Sequence, residues 1–246
     1  MTWRVATVKD TRDETVTART LTVDVPGWPG HQPGQHVAVK LTAEDGYSAQ
    51  RDYSIASASA PGGLELTVQR VNDGEASAYL AEAAEPGDQF ELRGPIGGWF
   101  AWHEADPRPL LLLAGGSGIV PLMSMIRTHA QASSQVPVRL LYSARTPADV
   151  IYHAELSQRQ RVSPLTVTYL YTRPGWAARG IVPALGDRSY TSRLTAKILA
   201  AAAFPPSMIP ATFVCGPSGF VETASALLVA AGHAPGVIKT ERFGPT

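Results

Sequence analysis

The first part of the chain alternates apolar and polar side chains over short stretches that Gly and Pro interrupt. The stretches with this alternation are residues 17–25, 35–41, 51–56, 63–71 and 88–92. Side chains two residues apart lie on the same face of a strand, so short alternating stretches at close spacing predict an antiparallel barrel or sandwich. A helix is predicted at residues 76–84, where an Ala-rich stretch follows Gly74.

The pattern changes after Arg108. Four continuous apolar stretches, LLLLAG, VRLLYSA, LTVTYLY and ATFVCG, alternate with Ala-rich stretches of helical length. This alternation indicates β-α-β units around a parallel sheet. We therefore predict two domains, an antiparallel β-barrel over residues 1–104 and an α/β parallel-sheet domain over residues 109–246, joined by the Pro-containing segment between them.

Composition argues against several classes of partner and cofactor. The 246 residues include 21 basic and 21 acidic side chains, so no basic excess points to nucleic acid or an anionic membrane surface. The N-terminus lacks the apolar stretch of a signal peptide, and no run of 18 apolar residues occurs, which predicts a soluble cytoplasmic protein. Cys215 is the single cysteine and the six histidines lack ligand spacing, so neither an iron–sulfur cluster nor another metal site is expected.

A glycine-rich turn follows the first parallel strand. Residues 115–121 read GGSGIVP, and a predicted helix begins there. Such a turn lets a phosphate approach the backbone, and the helix N-terminus supplies free N–H groups. A tight turn without a ligand is the alternative. Pro121 replaces the third glycine of the usual dinucleotide motif, and Ile119 excludes the nucleophile elbow of hydrolases.

Arginines follow the next two parallel strands. Arg145 comes after VRLLYSA, and Arg173 ends YLYTR. An arginine at such a strand end suits the 2′-phosphate of NADPH, whereas the ribose of NADH calls for Asp or Glu. The pattern favours NADPH and leaves NADH open. The alternative interpretation is that both are solvated surface arginines that bind no ligand.

The predicted barrel contains the stretch Arg51-Asp52-Tyr53-Ser54. Alternation places Arg51 and Tyr53 on one face of a strand. Arginine suits a diphosphate, and tyrosine suits stacking on a flat ring. Taken alone, the stretch is equally an ordinary strand with a surface arginine and a half-buried tyrosine.

Six motifs in this order resemble the ferredoxin–NADP reductase family in its short bacterial form, and they extend over nearly the whole chain. The motifs are Arg51-x-Tyr53-Ser54, Gly74-x-x-Ser77, Gly94-Pro95-Ile96-Gly97, Gly115-Gly116-Ser117-Gly118-x-x-Pro121, Cys215-Gly216-Pro217 and Glu241-Arg242-Phe243-Gly244.

The resemblance implies that the barrel binds FAD. Arg51 would hold the diphosphate, Tyr53 would stack on the isoalloxazine ring, and Ser54 would hydrogen-bond the reactive flavin nitrogen. Because alternation places Ser54 opposite Tyr53, this last contact needs a bent strand end or a main-chain contact.

The resemblance also assigns phosphate contacts to two turns. These are Gly74, Ala76 and Ser77 for FAD, and Gly116, Ser117 and Gly118 for NADPH.

The last two motifs would serve the nicotinamide and the flavin. Cys215, with Gly216 and Pro217, would lie against the nicotinamide and act by packing and orientation, although a lone cysteine is often only a buried apolar residue. Glu241 and Phe243 would approach the flavin, with Phe243 covering the ring. The catalytic candidates are Ser54, Cys215 and Glu241.

The expected activity is hydride transfer from NADPH to FAD, followed by single-electron transfer to a separate carrier such as ferredoxin, in support of an oxygenase. Three alternatives are a reductase of free flavin, ferric complexes or another small acceptor, a subunit active only within a larger complex, and a non-catalytic nucleotide-binding regulator. Residues 175–192 form an insert to which no role is assigned.

Overall fold

The computed structural model of this chain describes residues 2–43, 45–59, 63–71, 73–173 and 188–243. The chain forms two compact units. The first consists of Met1–His103 and Met123–Ala132, and the second of Glu104–Leu122 and Ser133–Thr246. The insert at residues 175–192 lies mostly outside the described residues, because 174–187 are not among them.

The first unit contains an antiparallel sheet. Its strands are β1 Arg4–Thr15, β2 Ala18–Asp24, β3 His36–Thr42, β4 Ser48–Ser54, β5 Leu64–Gln69 and β6 Gln89–Ile96. Their order is β4-β3-β6-β1-β2-β5. Ile55, directly after β4, pairs with Leu66 of β5 and so joins the two ends of the sheet. The predicted barrel is confirmed.

Alternate residues of these strands fill the barrel core. Ala6 and Val8 of β1, Val37 and Val39 of β3, and Leu66 of β5 are buried together. Alternation did not predict β1, because most of its second half is charged or partly exposed. This long strand instead pairs with β2 and β6 through its backbone.

The predicted helix after Gly74 has two parts. A single α-helical turn, α1 (Glu75–Ala78), continues as a π-helical turn over Tyr79–Ala83. Leu80, Ala81 and Ala84 join the barrel core from this segment. Burial of these small and apolar side chains therefore fixes the short helix against the barrel.

The second unit contains a parallel sheet. Its strands are β7 Leu110–Gly115, β8 Val138–Ala144, β9 Leu165–Tyr171, β10 Ser189–Tyr190, β11 Ala211–Pro217 and β12 Ile238–Phe243. Their order is β10-β9-β8-β7-β11-β12, with parallel pairing throughout. The strands β8, β9 and β10 lie on one side of β7, and β11 and β12 lie on its other side. The carboxyl ends of β7 and β11 thus form a topological switch point, where α/β sheets bind ligands.

Four helices accompany the parallel strands along the chain. They are α2 Ile119–Gln131, α3 His153–Val162, α4 Ala196–Ala202 and α5 Ser218–Ala230. The helix α3 begins directly after Tyr152, which adopts a left-handed conformation with φ 62°. Thr195 caps α4 by accepting a hydrogen bond from the Ile198 backbone N–H. None of the helices among the described residues has the length and apolar character needed to cross a membrane.

The closing point of the barrel provides a stability test. Leu66 is 0% exposed, so Leu66→Ala should lower the free energy of unfolding by about 2–5 kcal/mol through lost contacts and a cavity. Tryptophan fluorescence during urea unfolding measures this change. Val16→Ala, at a fully exposed turn position, is the control and should stay within about 0.5 kcal/mol of the parent. Equal effects of the two substitutions would contradict the closed barrel.

Candidate functional site

The strand β4 carries the predicted flavin residues on two faces. Tyr53 pairs with Val37, and Ser54 pairs with His36. Directly paired residues share a face of the sheet, so Tyr53 lies on the face of the core valines and Ser54 on the opposite face. Tyr53 packs against the core, and burial raises the pKa of its phenol to about 12. Its ring is therefore neutral and held against the barrel.

Ser54 is the most informative residue of this strand. It is only 6% exposed, and its Oγ has no hydrogen-bond partner among the described residues. A buried hydroxyl without a partner costs about 1–3 kcal/mol, so native proteins seldom retain one without a reason. A polar atom of a bound flavin would satisfy it. The backbone beside it is well fixed, because the Ile55 N–H donates to the Gln35 carbonyl at 3.0 Å.

Arg51 lies at the exposed edge of the same strand. Its Nη1 donates to the Gln50 carbonyl oxygen at 2.7 Å. A guanidinium carries five N–H donors in a fork that matches phosphate oxygens. Since β4 is an end strand in the sheet order, donors of Arg51 are available to a diphosphate beside the strand.

The loop before α1 is held together by Ser77. The Ser77 hydroxyl donates to the Gly74 carbonyl at 2.9 Å and accepts from the Val71 N–H at 3.2 Å. A side chain at Gly74 would collide with Val71 and with the Ser77 hydroxyl. The observed contacts of this hydroxyl are thus within the loop, and the first N–H groups of α1, including those of Ala76 and Ser77, are the donors that the helix itself cannot satisfy.

Two glycine-containing segments meet at the switch point of the second unit. Gly116 begins the turn after β7 with φ +54°, and Gly216 lies near the end of β11 with φ +152°. A Cβ on Gly118 would overlap the Cys215 carbonyl, and one on Gly216 would lie 2.9 Å from the Gly115 carbonyl oxygen. The two backbone segments therefore touch. Ser117 lies in the turn after β7, whose N–H groups a phosphate can reach.

Cys215 is fully buried in this contact. It pairs with Ala114 on one side and Glu241 on the other. Burial, and then the nearby Glu241 carboxylate, raises the pKa of the Cys215 thiol well above its usual range. The thiol is therefore protonated at neutral pH, which suits packing and does not suit nucleophilic attack.

The last strand brings its residues to the same end of the sheet. Phe243 pairs with Pro217 at the carboxyl end of β11. Both Glu241 and Phe243 are partly buried. Gly244, the final residue of the predicted motif, lies outside the described residues.

Arg145 and Arg173 lie side by side beyond β8 and β9. The Arg173 N–H donates to the Arg145 carbonyl at 3.0 Å, and both side chains are exposed. The Arg145 guanidinium pairs with Asp149 at 2.8 Å, and the Thr146 hydroxyl donates to the other oxygen of that carboxylate at 2.6 Å. Sequence reasoning missed Asp149, although its spacing of four residues from Arg145 was a usable signal.

A cavity of about 780 Å³ lies elsewhere in the first unit. Its walls include Trp28, His31, Gln35 and Pro95, and none of the predicted flavin residues. The polar groups of His31 are satisfied, because Nδ1 accepts from the Trp28 indole at 3.4 Å and Nε2 lies 3.2 Å from the Ser57 carbonyl oxygen. Unlike Ser54, this histidine offers no unsatisfied group to a ligand.

No group of three or more His, Cys, Asp and Glu side chains suited to a metal ion occurs in the part of the chain that the structure describes.

Two family models match this chain, one in each part. The model of the oxidoreductase FAD-binding domain matches residues 8–101, and that of the oxidoreductase NAD-binding domain matches residues 112–226. Ferredoxin–NADP reductase B of Sorangium cellulosum is 35% identical over 192 residues, which are 75% of this chain and 73% of that protein.

A second relative is longer than this chain. The glycine betaine monooxygenase reductase subunit of Pseudomonas aeruginosa is 31% identical over 221 residues, covering 87% of this chain and 57% of the relative. The chain thus matches little more than half the length of that relative.

Solved structures share the fold. The FAD/NAD-binding domain of a nitric oxide dioxygenase from Vibrio cholerae superposes with a TM-score of 0.84 at 24% identity, covering 98% of this chain and 99% of that one. A ferredoxin–NADP reductase from Neisseria gonorrhoeae, crystallised with FAD and NADP, gives a TM-score of 0.80 at 21% identity, covering 98% and 99%.

The two domain models together match most of the chain, and the Sorangium relative is similar over three quarters of it. Ser54, the last residue of β4, has a buried hydroxyl without a partner among the described residues, and glycine backbones meet at the switch point of the parallel sheet. The chain belongs to the ferredoxin–NADP reductase family of FAD-containing, NAD(P)H-dependent oxidoreductases.

Proposed function

We propose that this chain is the reductase of an oxygenase system, using NADPH to reduce a separate electron-carrier protein such as a ferredoxin. The observation that carries the flavin half of this proposal is the buried, unpaired Ser54 hydroxyl beside Arg51 and Tyr53. The oxygenase link is supported by the Pseudomonas relative, which is named a reductase subunit of a monooxygenase. Because NADPH is found inside cells, the proposed location is the cytoplasm.

Bound FAD supplies the ability to take two electrons from a nicotinamide and release them one at a time. The chain's part is to bind and orient. Arg51 binds the diphosphate from the strand edge, Tyr53 offers a fixed aromatic face, and Ser54 hydrogen-bonds a polar atom of the ring. The loop closed by Gly74 and Ser77 presents backbone N–H groups to the phosphates.

The second unit binds the coenzyme at its switch point. The turn at Gly116–Gly118 holds the diphosphate through backbone N–H groups. Arg145 and Arg173 bind the 2′-phosphate, and protonated Cys215 packs against the nicotinamide. Glu241 and Phe243, on the neighbouring strand β12, lie at the same carboxyl end of the parallel sheet.

The preferred electron acceptor distinguishes a reductase of a carrier protein from a reductase of small molecules. The purified, FAD-loaded protein is given NADPH with a bacterial ferredoxin, with free FMN or with ferric citrate. We expect the ferredoxin to give a kcat/KM higher by on the order of 100-fold, because charge complementarity speeds encounter with a specific protein. Preference for free FMN or ferric citrate would contradict the carrier role, and absence of NADPH oxidation even with ferricyanide would contradict any reductase.

The unpaired hydroxyl leads to a prediction with two readouts. Ser54→Ala removes a hydroxyl that has no partner among the described residues, so the stability of the apo-protein should not fall by more than about 0.5 kcal/mol. The same substitution should slow flavin reduction by NADPH on the order of 10-fold or more, because the ring loses a fixed contact. Urea unfolding and anaerobic stopped-flow absorbance measure the two effects.

The control for this pair of measurements is Thr20→Val. The Thr20 hydroxyl is buried and bonded to Thr67 at 2.7 Å, so its loss should destabilise the apo-protein by about 1–2 kcal/mol. A Ser54→Ala apo-protein destabilised as much as this control would show that the Ser54 hydroxyl has a partner within the chain.

Coenzyme choice depends on the strand-end arginines. Arg145→Ala should raise the KM for NADPH by about 10-fold, the value of one charge-assisted contact, because Asp149 already neutralises part of the guanidinium charge. The KM for NADH should change little, since NADH lacks the 2′-phosphate. Arg161→Ala, at an exposed position of α3, is the control. Equal changes for both coenzymes would contradict the assignment.

A further inference from the structure

The helix α2 buries a row of polar side chains that sequence reasoning treated as part of an ordinary helix. Ser124, Arg127 and Thr128 are 0%, 8% and 3% exposed. Their spacing of three and four residues places them on one face of the helix. These residues belong to the first unit, which includes Met123–Ala132. Buried polar groups need partners, so the face must meet polar backbone or side chains.

All three side chains bond one short stretch of backbone, residues 56–59, which we call the exit segment because it leaves β4 just after Ser54. The bonds are Ser124 Oγ to the Ser57 carbonyl at 2.6 Å, Arg127 Nη1 to the Ala56 carbonyl at 2.9 Å, and the Ser59 N–H to Thr128 Oγ1 at 3.0 Å. The helix therefore holds the exit segment at three successive points.

Arg127 also ties the exit segment to β5. Its Nη1 lies 2.7 Å from the Glu65 carboxylate, with the two side chains only 10% and 25% exposed. The Glu65 backbone bonds the same segment, because its carbonyl accepts from the Ala56 N–H at 2.8 Å and its N–H donates to Ser57 Oγ at 3.1 Å. One guanidinium thus joins a carboxylate of β5 to the carbonyl two residues beyond Ser54.

The loop before β3 contacts the exit segment as well. His31 Nε2 lies 3.2 Å from the Ser57 carbonyl oxygen, and the Ser59 hydroxyl donates to the His31 carbonyl. The backbone following Ser54 therefore cannot shift without breaking bonds to α2, β5 and this loop. By contrast, the Ser54 hydroxyl itself is bonded to none of these elements.

We propose that Arg127 is a positioning residue for Ser54. By fixing the Ala56 carbonyl and Glu65 together, it sets the place of the strand end that presents the unpaired Ser54 hydroxyl to the flavin ring. This inference rests on the proposed FAD site at Ser54. Its importance follows from the sensitivity of reactions between bound groups to position, where an error of about 1 Å costs on the order of 100-fold in rate.

The geometry explains why an arginine occupies this position. A guanidinium is planar and always charged, and its N–H groups can serve a carbonyl and a carboxylate together. A lysine ammonium is a compact point charge on a flexible stem, so it would keep the ion pair and hold the carbonyl less firmly. Arg127→Lys should therefore rescue part of what Arg127→Met loses.

The test is a double-mutant cycle on flavin reduction by NADPH. Four FAD-loaded proteins are compared by anaerobic stopped-flow absorbance, namely the parent, Arg127→Met, Ser54→Ala and the double variant. If Arg127 acts through Ser54, Arg127→Met slows reduction on the order of 10-fold in the parent and less than about twofold when Ser54 is already Ala. Arg159→Met, which removes a 24% exposed arginine paired with Glu155 at 2.7 Å in the second unit, should leave the rate unchanged.

A second readout needs no cofactor. In the apo-protein, Arg127→Met should speed amide hydrogen exchange at Ala56 and Ser59 at least on the order of 10-fold, because their segment opens more often. Arg127→Lys should give an intermediate value, and Arg159→Met should give the parent value. Unchanged exchange in Arg127→Met would overturn the inference.

The outcomes separate this inference from the proposed function. Equal rate losses from Arg127→Met in both backgrounds would overturn the positioning role alone. A full reduction rate in Ser54→Ala would instead defeat the proposed flavin contact. Should Arg127→Met fail to fold, Thr128→Val replaces it in the cycle, because it removes the acceptor of the Ser59 N–H. The loss of reduction rate should then be smaller, and it must also vanish when Ser54 is Ala.

Discussion

The β-bridge between Ile55 and Leu66 fixes where the barrel is closed, and the candidate flavin site depends on it. Upstream of Ile55, β4 is an end strand with an exposed Arg51 and a half-buried Tyr53. Downstream, the chain is bonded to β5 and to buried polar groups of α2. Ser54 lies at this boundary. A free edge beside a fixed backbone is what a stacked cofactor requires, because the ring needs space and its polar atom needs a contact that does not move.

A different constraint shapes the second unit. There the turn after β7 and the end of β11 approach so closely that Gly118 and Gly216 have no room for a side chain. The same backbone packing buries Cys215, and this burial raises the pKa of its thiol, which stays protonated. The first unit thus offers its ligand one unpaired hydroxyl, which suits a ring held in a fixed place. The second unit offers glycine backbone, which suits a diphosphate.

Much of this fold could be predicted from the chain itself, because its signals are local. Period-2 alternation and continuous apolar stretches predicted most strands, and the glycine turn identified the end of β7. The strand β1 was missed because its charged half pairs through the backbone. Asp149 was missed although its partner Arg145 is only four residues away, whereas Arg127 was missed because its partners depend on tertiary contacts. The spacing of Ser124, Arg127 and Thr128 shows a shared face, but no local rule says that residues 56–59 meet it.

A crystal structure of the FAD complex tests the central claim most directly. The account predicts that Ser54 Oγ lies within about 3 Å of a polar atom of the flavin ring, with the ring stacked on Tyr53 and the diphosphate at Arg51. The contrary result would be a flavin in the cavity between Trp28 and His31, with the Ser54 hydroxyl still without a partner.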